Sequence, residues 1–85
     1  MRITWTAEDR GEQSAEAKTA DAAADEMVSG VAQMYSDMNT TVGAHVMLHF
    51  VTPLRSRLIN EGWSVASNGE VWSAQEGPVG VTLNP

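Results

Sequence analysis

Cysteine is absent from the 85 residues, so no disulfide can staple this fold and no thiolate can hold a metal. A small domain without cysteine must rely on packing, as cytoplasmic proteins do. Basic residues are scarce as well. Five Lys and Arg stand against eleven Asp and Glu, and a net charge of −6 makes a poor footprint for neutralising nucleic-acid phosphates. No long hydrophobic run occurs: the longest, residues 42–51, is interrupted by Gly43, His45 and His49 and falls well short of the roughly 20 residues that cross a bilayer. The opening Met-Arg-Ile-Thr-Trp-Thr lacks the apolar core of a signal peptide. Also missing are a Gly-x-Ser-x-Gly elbow, a phosphate-cradling glycine loop and a dinucleotide fingerprint, and the carboxylates cluster in polar sequence rather than in an apolar cleft suited to acid–base work. The absences together lead to the expectation of a cytoplasmic, non-enzymatic protein without membrane attachment, metal or cofactor.

What is present is patterned. The hydrophobic share of 42% is globular, and the length suits one compact domain, residues 1–85, with one modest core. The charge is segregated. Residues 8–38 hold Glu8, Asp9, Glu12, Glu16, Asp21, Asp25, Glu26 and Asp37 against Arg10 and Lys18, which accounts for the whole net −6. Elsewhere Arg2, Arg55 and Arg57 balance Glu61, Glu70 and Glu76.

Alternation of Ile3 and Trp5 with polar neighbours predicts a strand over residues 2–6. From Ser14 the chain becomes Ala-rich, and Met27, Val31, Met34, Tyr35 and Met38, extended backward by Ala20 and Ala24, mark the inner face of a helix. Asp21, Asp25, Glu26, Ser29, Gln33 and Ser36 fall on its outer side, where Gly30 would weaken the helix or admit a close neighbour. Asn39-Thr40-Thr41 reads as a helix end followed by two N-cap candidates, hence a tight helical hairpin. The second helix, residues 42–59, is apolar around most of its circumference and so central. Pro53 either kinks it or, as favoured here, starts a new helix capped by Thr52, and Gly62 then ends the element. Asn68-Gly69 between residues 63–67 and 70–74 predicts a type I′ hairpin pairing Val65 with Trp72 and Trp63 with Ala74. Gly77-Pro78 then turns into a last strand, residues 79–83. The expected fold is a small two-layer α+β domain of order β-α-α-(α)-β-β-β. A helical hairpin, its second helix broken or kinked at Pro53, packs on a three- to four-stranded, mainly antiparallel sheet.

His45 and His49 are four residues apart on a helix, a geometry that metal-binding helices use. The likeness to a zinc-protease helix is partial, since Val46 stands where such enzymes place their Glu and no nearby carboxylate completes the set. With Thr52, Ser56 and Asn60 the two histidines form a narrow polar strip, read here as the solvated edge of a buried helix. Arg55 and Arg57 ahead of a hairpin resemble the end of a winged-helix DNA-binding domain over about residues 41–74, a likeness of element order only. It implies a regulator that grips DNA with those arginines and the 63–74 hairpin, against the direction of the charge.

The acidic outer side of the first helix is the stronger candidate. Without interleaved cations its carboxylates set up a field of one sign, which steers association with a basic surface. Basic surfaces belong chiefly to proteins that handle nucleic acid. The expected partner is therefore such a protein, docked through Asp21, Asp25, Glu26, Asp37 and Glu16, with the nucleic acid itself untouched. Small size, acidity and the lack of cysteine and of catalytic motifs resemble the profile of the inhibitors that phages and mobile elements direct at bacterial defence, anti-CRISPR proteins among them. That profile implies an inhibitor or adaptor acting in the cytoplasm of the host cell. A homo-oligomeric structural subunit, such as a homodimer through exposed sheet or methionine surface, is the remaining alternative.

Overall fold

The computed structural model describes residues 1–85. β1 (Arg2–Ala7) and β2 (Gly11–Glu16) form a hairpin, followed by helix α1 (Ala20–Met34) and a long helix over residues 40–67; β3 (Trp72–Glu76) and β4 (Val79–Asn84) close the chain. The four strands make one antiparallel sheet in the order β2-β1-β4-β3, and the helices cover one of its faces. This is the two-layer α+β arrangement expected from the alternating and helical patterns.

Alternation builds the covered face. Ile3, Trp5 and Ala7 of β1 lie opposite Leu83, Val81 and Val79 of β4, and all six are buried. The turn at Gly77-Pro78 joins β3 to β4 as expected, with Gly77 at φ 55°. From the helices come Ala23, Ala24, Met27, Val31 and Tyr35 of the first half and Val46, Val51, Leu54, Leu58 and Ala66 of the second. No polar or charged side chain is buried.

Several element boundaries differ from the sequence expectation. Residues 14–16 belong to β2 rather than to the first helix, which starts only after Thr19, whose Oγ1 accepts a hydrogen bond from the Ala22 amide at 3.1 Å. β2 escapes detection because it carries no apolar alternation: of its six residues only Ala15 is even partly covered. Its hairpin is made by Asp9 at φ 63° and Gly11 at φ 101°, both in the left-handed region. α1 stops at Met34, so Met38 is exposed, and Asn39 caps the long helix rather than ending α1, its Oδ1 accepting from the Val42 amide at 2.9 Å. Gly30, expected on the outer side, is buried.

The largest correction concerns residues 52–69. The long helix runs unbroken for 28 residues as α2 (Thr40–Val46), a π turn at Met47–Val51, α3 (Thr52–Arg57), a second π turn at Leu58–Gly62, and α4 (Trp63–Ser67). The 63–74 hairpin does not form. Gly62 is right-handed helical at φ −62°, and Asn68-Gly69 terminates the helix instead, Gly69 at φ 90° donating its amide to the Ala66 carbonyl at 3.0 Å. A left-handed glycine serves a helix end as well as a hairpin turn, and the choice falls to what precedes it. Here the buried series Val46, Val51, Leu54, Leu58, Gly62, Ala66 recurs at intervals of 5, 3, 4, 4 and 4 residues, continuing through the segment expected to be a strand. An average step of four, in an α-helix of about 3.6 residues per turn, would drift by about 40° each time. The two π turns widen the helix and return the stripe to the sheet. The first also relieves Pro53, whose ring would otherwise meet the carbonyl four residues back: the Thr52 amide and hydroxyl both reach the Met47 carbonyl, the hydroxyl at 3.0 Å.

Two tryptophans set how closely the layers approach. Trp5 lies where a Cβ on Gly30 would be, and Trp72 where a Cβ on Gly62 would be. Trp72 also donates from Nε1 to Glu61 Oε1 at 3.1 Å, whereas the Trp5 indole nitrogen has no partner. Gly43, by contrast, has open space around it. Gly30→Ala is expected to lower unfolding free energy by about 1–3 kcal/mol through overpacking. Gly43→Ala should raise it by about 0.5–1 kcal/mol through helix propensity; urea titrations of the two variants check the opposite signs.

Candidate functional site

Every residue expected to contact a partner is exposed, but they do not form one stripe. Asp21 and Asp25 project from one flank of α1; about 100° per residue puts Ala32 on that same flank, where it and Ser36, just past the helix end, line a groove with Gly43, Ala44 and Met47 of the long helix. Glu26 lies roughly 100° from Asp25, toward the opposite flank. Glu16 is not on α1 at all: it ends β2, with the Met1 amino group at 3.6 Å and Arg2 at 3.7 Å. Asp37 lies beyond the end of α1 and is bound by Arg10.

Arg10 is the best-held cation of the chain. From the β1–β2 turn its guanidinium donates to the Met34 carbonyl at 3.1 Å and to Asp37, and stands 5.2 Å from the centre of the Tyr35 ring. A cation at the last carbonyls of α1 also complements the helix dipole. Its effect on the surface field is to remove Asp37 from it.

Ion pairs likewise engage Arg2 with Glu16 and Arg57 with Glu76, the latter at 3.7 Å. Lys18 and Arg55 are the cations left outside ion pairs. Glu8, Asp9, Glu12, Asp21, Asp25 and Glu26 are exposed and have no such partner. The free negative charge therefore includes Glu8, Asp9 and Glu12 on the first hairpin, which sequence reasoning counted in the acidic segment but did not place in the site. The signal that could have placed them is Asp9-Arg10-Gly11, a turn sequence between two short polar stretches.

Arg55 and Arg57 are two residues apart on α3, so their side chains leave the helix on different sides. The hairpin meant to accompany them is helix α4, and the winged-helix likeness has no wing over residues 63–74. His45 and His49 do come together, their rings 4.4 Å apart and both exposed, with Phe50 edge-on to His45 at 5.6 Å. No group of three or more His, Asp or Glu side chains gathers around a common point. Thr52, Ser56 and Asn60 are exposed with them, Asn60 Nδ2 donating to Ser56 Oγ at 3.2 Å.

The sheet face away from the helices is open and polar. One row across all four strands consists of Ser14, Thr4, Thr82 and Ser73, with Thr4 Oγ1 and Ser14 Oγ 3.0 Å apart. Beside it Gly80 leaves a depression of about 460 Å³ whose rim includes Thr6, Glu12 and Gln75. No helix is long and apolar enough to cross a membrane. No family model, curated protein or solved structure matches the chain.

Loss of the Arg10 side chain would release Asp37, the end of α1 and the Tyr35 ring at once. Arg10→Ala is expected to destabilise by about 1–2 kcal/mol, as a charge-assisted bond to a carbonyl does. Arg57→Ala, which removes one exposed pair, should cost at most about 0.5 kcal/mol. Thermal unfolding at low and high salt separates the two.

Proposed function

We propose that this protein is a small, non-enzymatic binding module that docks through its acidic half onto the basic surface of a partner protein. The reading names a nucleic-acid-handling protein as partner and inhibition or adaptation as the outcome, as in the phage-encoded inhibitors whose profile the sequence resembles. The observation that carries it is the division of the charge. Asp21, Asp25 and Glu26 of α1 and Glu8, Asp9 and Glu12 of the first hairpin stand outside ion pairs, while Arg2, Arg10 and Arg57 are each committed to a neighbour. A surface of uncompensated charge attracts its complement over about a Debye length, roughly 8–10 Å at physiological salt. The open sheet face adds hydroxyl and amide groups but no aromatic ring, so the long-range attraction has to come from the acids.

The test is retention of proteins from a nuclease-treated bacterial lysate by the immobilised wild type and by the Asp21→Lys, Asp25→Lys, Glu26→Lys triple variant. The wild type is expected to hold a specific basic protein that elutes as salt rises, and the triple variant, with an unchanged circular dichroism spectrum, to lose at least about 90% of it. Equal retention by both chains overturns the reading.

A further inference from the structure

A strand at the edge of a sheet has one side of its ladder unoccupied, and parity decides which residues hold that side. In β2 the parity is set at its base. Met1 and Ala17 exchange both backbone bonds, the Ala17 amide donating to the Met1 carbonyl at 2.8 Å and the Met1 amino group to the Ala17 carbonyl at 3.1 Å. Alternation from that pair gives Ala15, Gln13 and Gly11 the bonds to β1 and turns the amides and carbonyls of Glu12, Ser14 and Glu16 outward. The side chains of these same three residues share the open face of the sheet, beside Thr6, Thr4 and Arg2.

Natural edges are commonly blunted by lysine, proline or a bulge. Gly11–Glu16 has neither lysine nor proline and pairs with β1 without a bulge. What it offers in their place, two positions to either side of Ser14, is Glu12, which has no ion-pair partner, and Glu16, which Arg2 and the Met1 amino group approach from the β1 side at 3.7 and 3.6 Å while its side chain stays exposed. A second copy of β2 is a poor occupant, because the full antiparallel register would set Glu12 against Glu16 twice. β3, the other edge, turns outward the uncharged Ser73 and Gln75, and Gln75 donates to the Gly77 carbonyl at 3.2 Å.

We infer that β2 is a docking edge for an extended basic segment of a partner protein, added antiparallel as a fifth strand with Lys or Arg opposite Glu12 and Glu16. The inference rests on the acidic-docking reading and gives it a mode: backbone bonds to Glu12, Ser14 and Glu16 supply the attachment, and the two carboxylates select a strand with cations four residues apart. Glu26, on the flank of α1 away from the long helix, adds to the same negative field.

The probe is the peptide acetyl-Thr-Lys-Val-Thr-Val-Lys-Thr-amide, with Glu replacing both lysines as control, followed by amide nuclear magnetic resonance and hydrogen exchange. The expected result is slowed exchange at the Glu12, Ser14 and Glu16 amides with the lysine peptide and none with the control. Ser14→Pro removes an outward amide and spares the bonds to β1, so it should weaken binding at least about tenfold while the β1 amides stay protected. A Glu12→Lys, Glu16→Lys double variant, whose backbone is untouched, should reverse the preference between the two peptides. Binding that maps to Asp21 and Asp25 and is indifferent to these substitutions overturns the β2 site while leaving acidic docking in place. No binding of the lysine peptide at millimolar concentration overturns the β2 site, whereas equal lysate retention by the wild type and the triple variant overturns acidic docking itself.

Discussion

The fit of an indole against a bare helix backbone is the constraint on which this structure depends. It occurs twice, once in each half of the chain: Trp5 of β1 against Gly30 of α1, and Trp72 of β3 against Gly62 of the long helix. A domain of this size has room for few large side chains, and two tryptophans in the covered face of the sheet would hold the helices away from it unless each met a residue without a Cβ. The glycines therefore act as sockets. They fix the height of both helices, and through that height the contacts of Met27, Val31, Leu54 and Leu58, all buried completely. The two sockets differ in their polar ends. Trp72 finds Glu61 one residue from its glycine, whereas the Trp5 nitrogen is buried without a partner, a tolerated loss of about 1–3 kcal/mol.

The sequence was readable wherever one face alone carries the apolar residues. β1, β4, the Gly77-Pro78 turn and the inner stripe of α1 all follow from simple alternation or helical spacing. Reading failed where a residue has two competing uses. Gly62 and Gly69 both look like chain reversals; one is a socket within a helix and the other a helix end, and only the partner across space decides between them. Pro53 looks like a break because an α-helix cannot hold it cheaply, yet a π turn can. β2 was invisible for a different reason. Its residues bury almost nothing, so its place in the sheet is owed to the turn at Asp9 and Gly11 and to its ladder with β1. Of the candidate site, the acidic bias was legible from composition. Its division between two flanks of α1 and the first hairpin was not, because that depends on where α1 begins and which face it turns to the sheet.

The neutralised and free charges are sorted by role. Arg10 ties the first hairpin to the end of α1, and Arg57 ties α3 to β3 at Glu76, so these cations hold elements to one another. Apart from Glu61, which accepts from Trp72, the carboxylates left over hold no element in place. Their removal would leave the core intact, since no charged side chain takes part in it. Surface groups without a structural duty are free to serve recognition, and the exposed histidine pair and the hydroxyl row are in the same position.

The central ladder joins Arg2 to Asn84 and Ala7 to Val79, residues from opposite ends of the chain. Apart from the packing of α1 on the long helix, the other main contacts stay within one half: each hairpin closes over a short turn, and Trp5 and Trp72 each find a glycine in their own half. Closing the long loop between β1 and β4 requires both halves to be ordered before many of the contacts that reward it exist, which places this step late in folding. Until then the chain would behave as two half-built units, a ββα piece and an αββ piece. Each would present the inner edge of its own hairpin to the other, and to any second copy that arrived first.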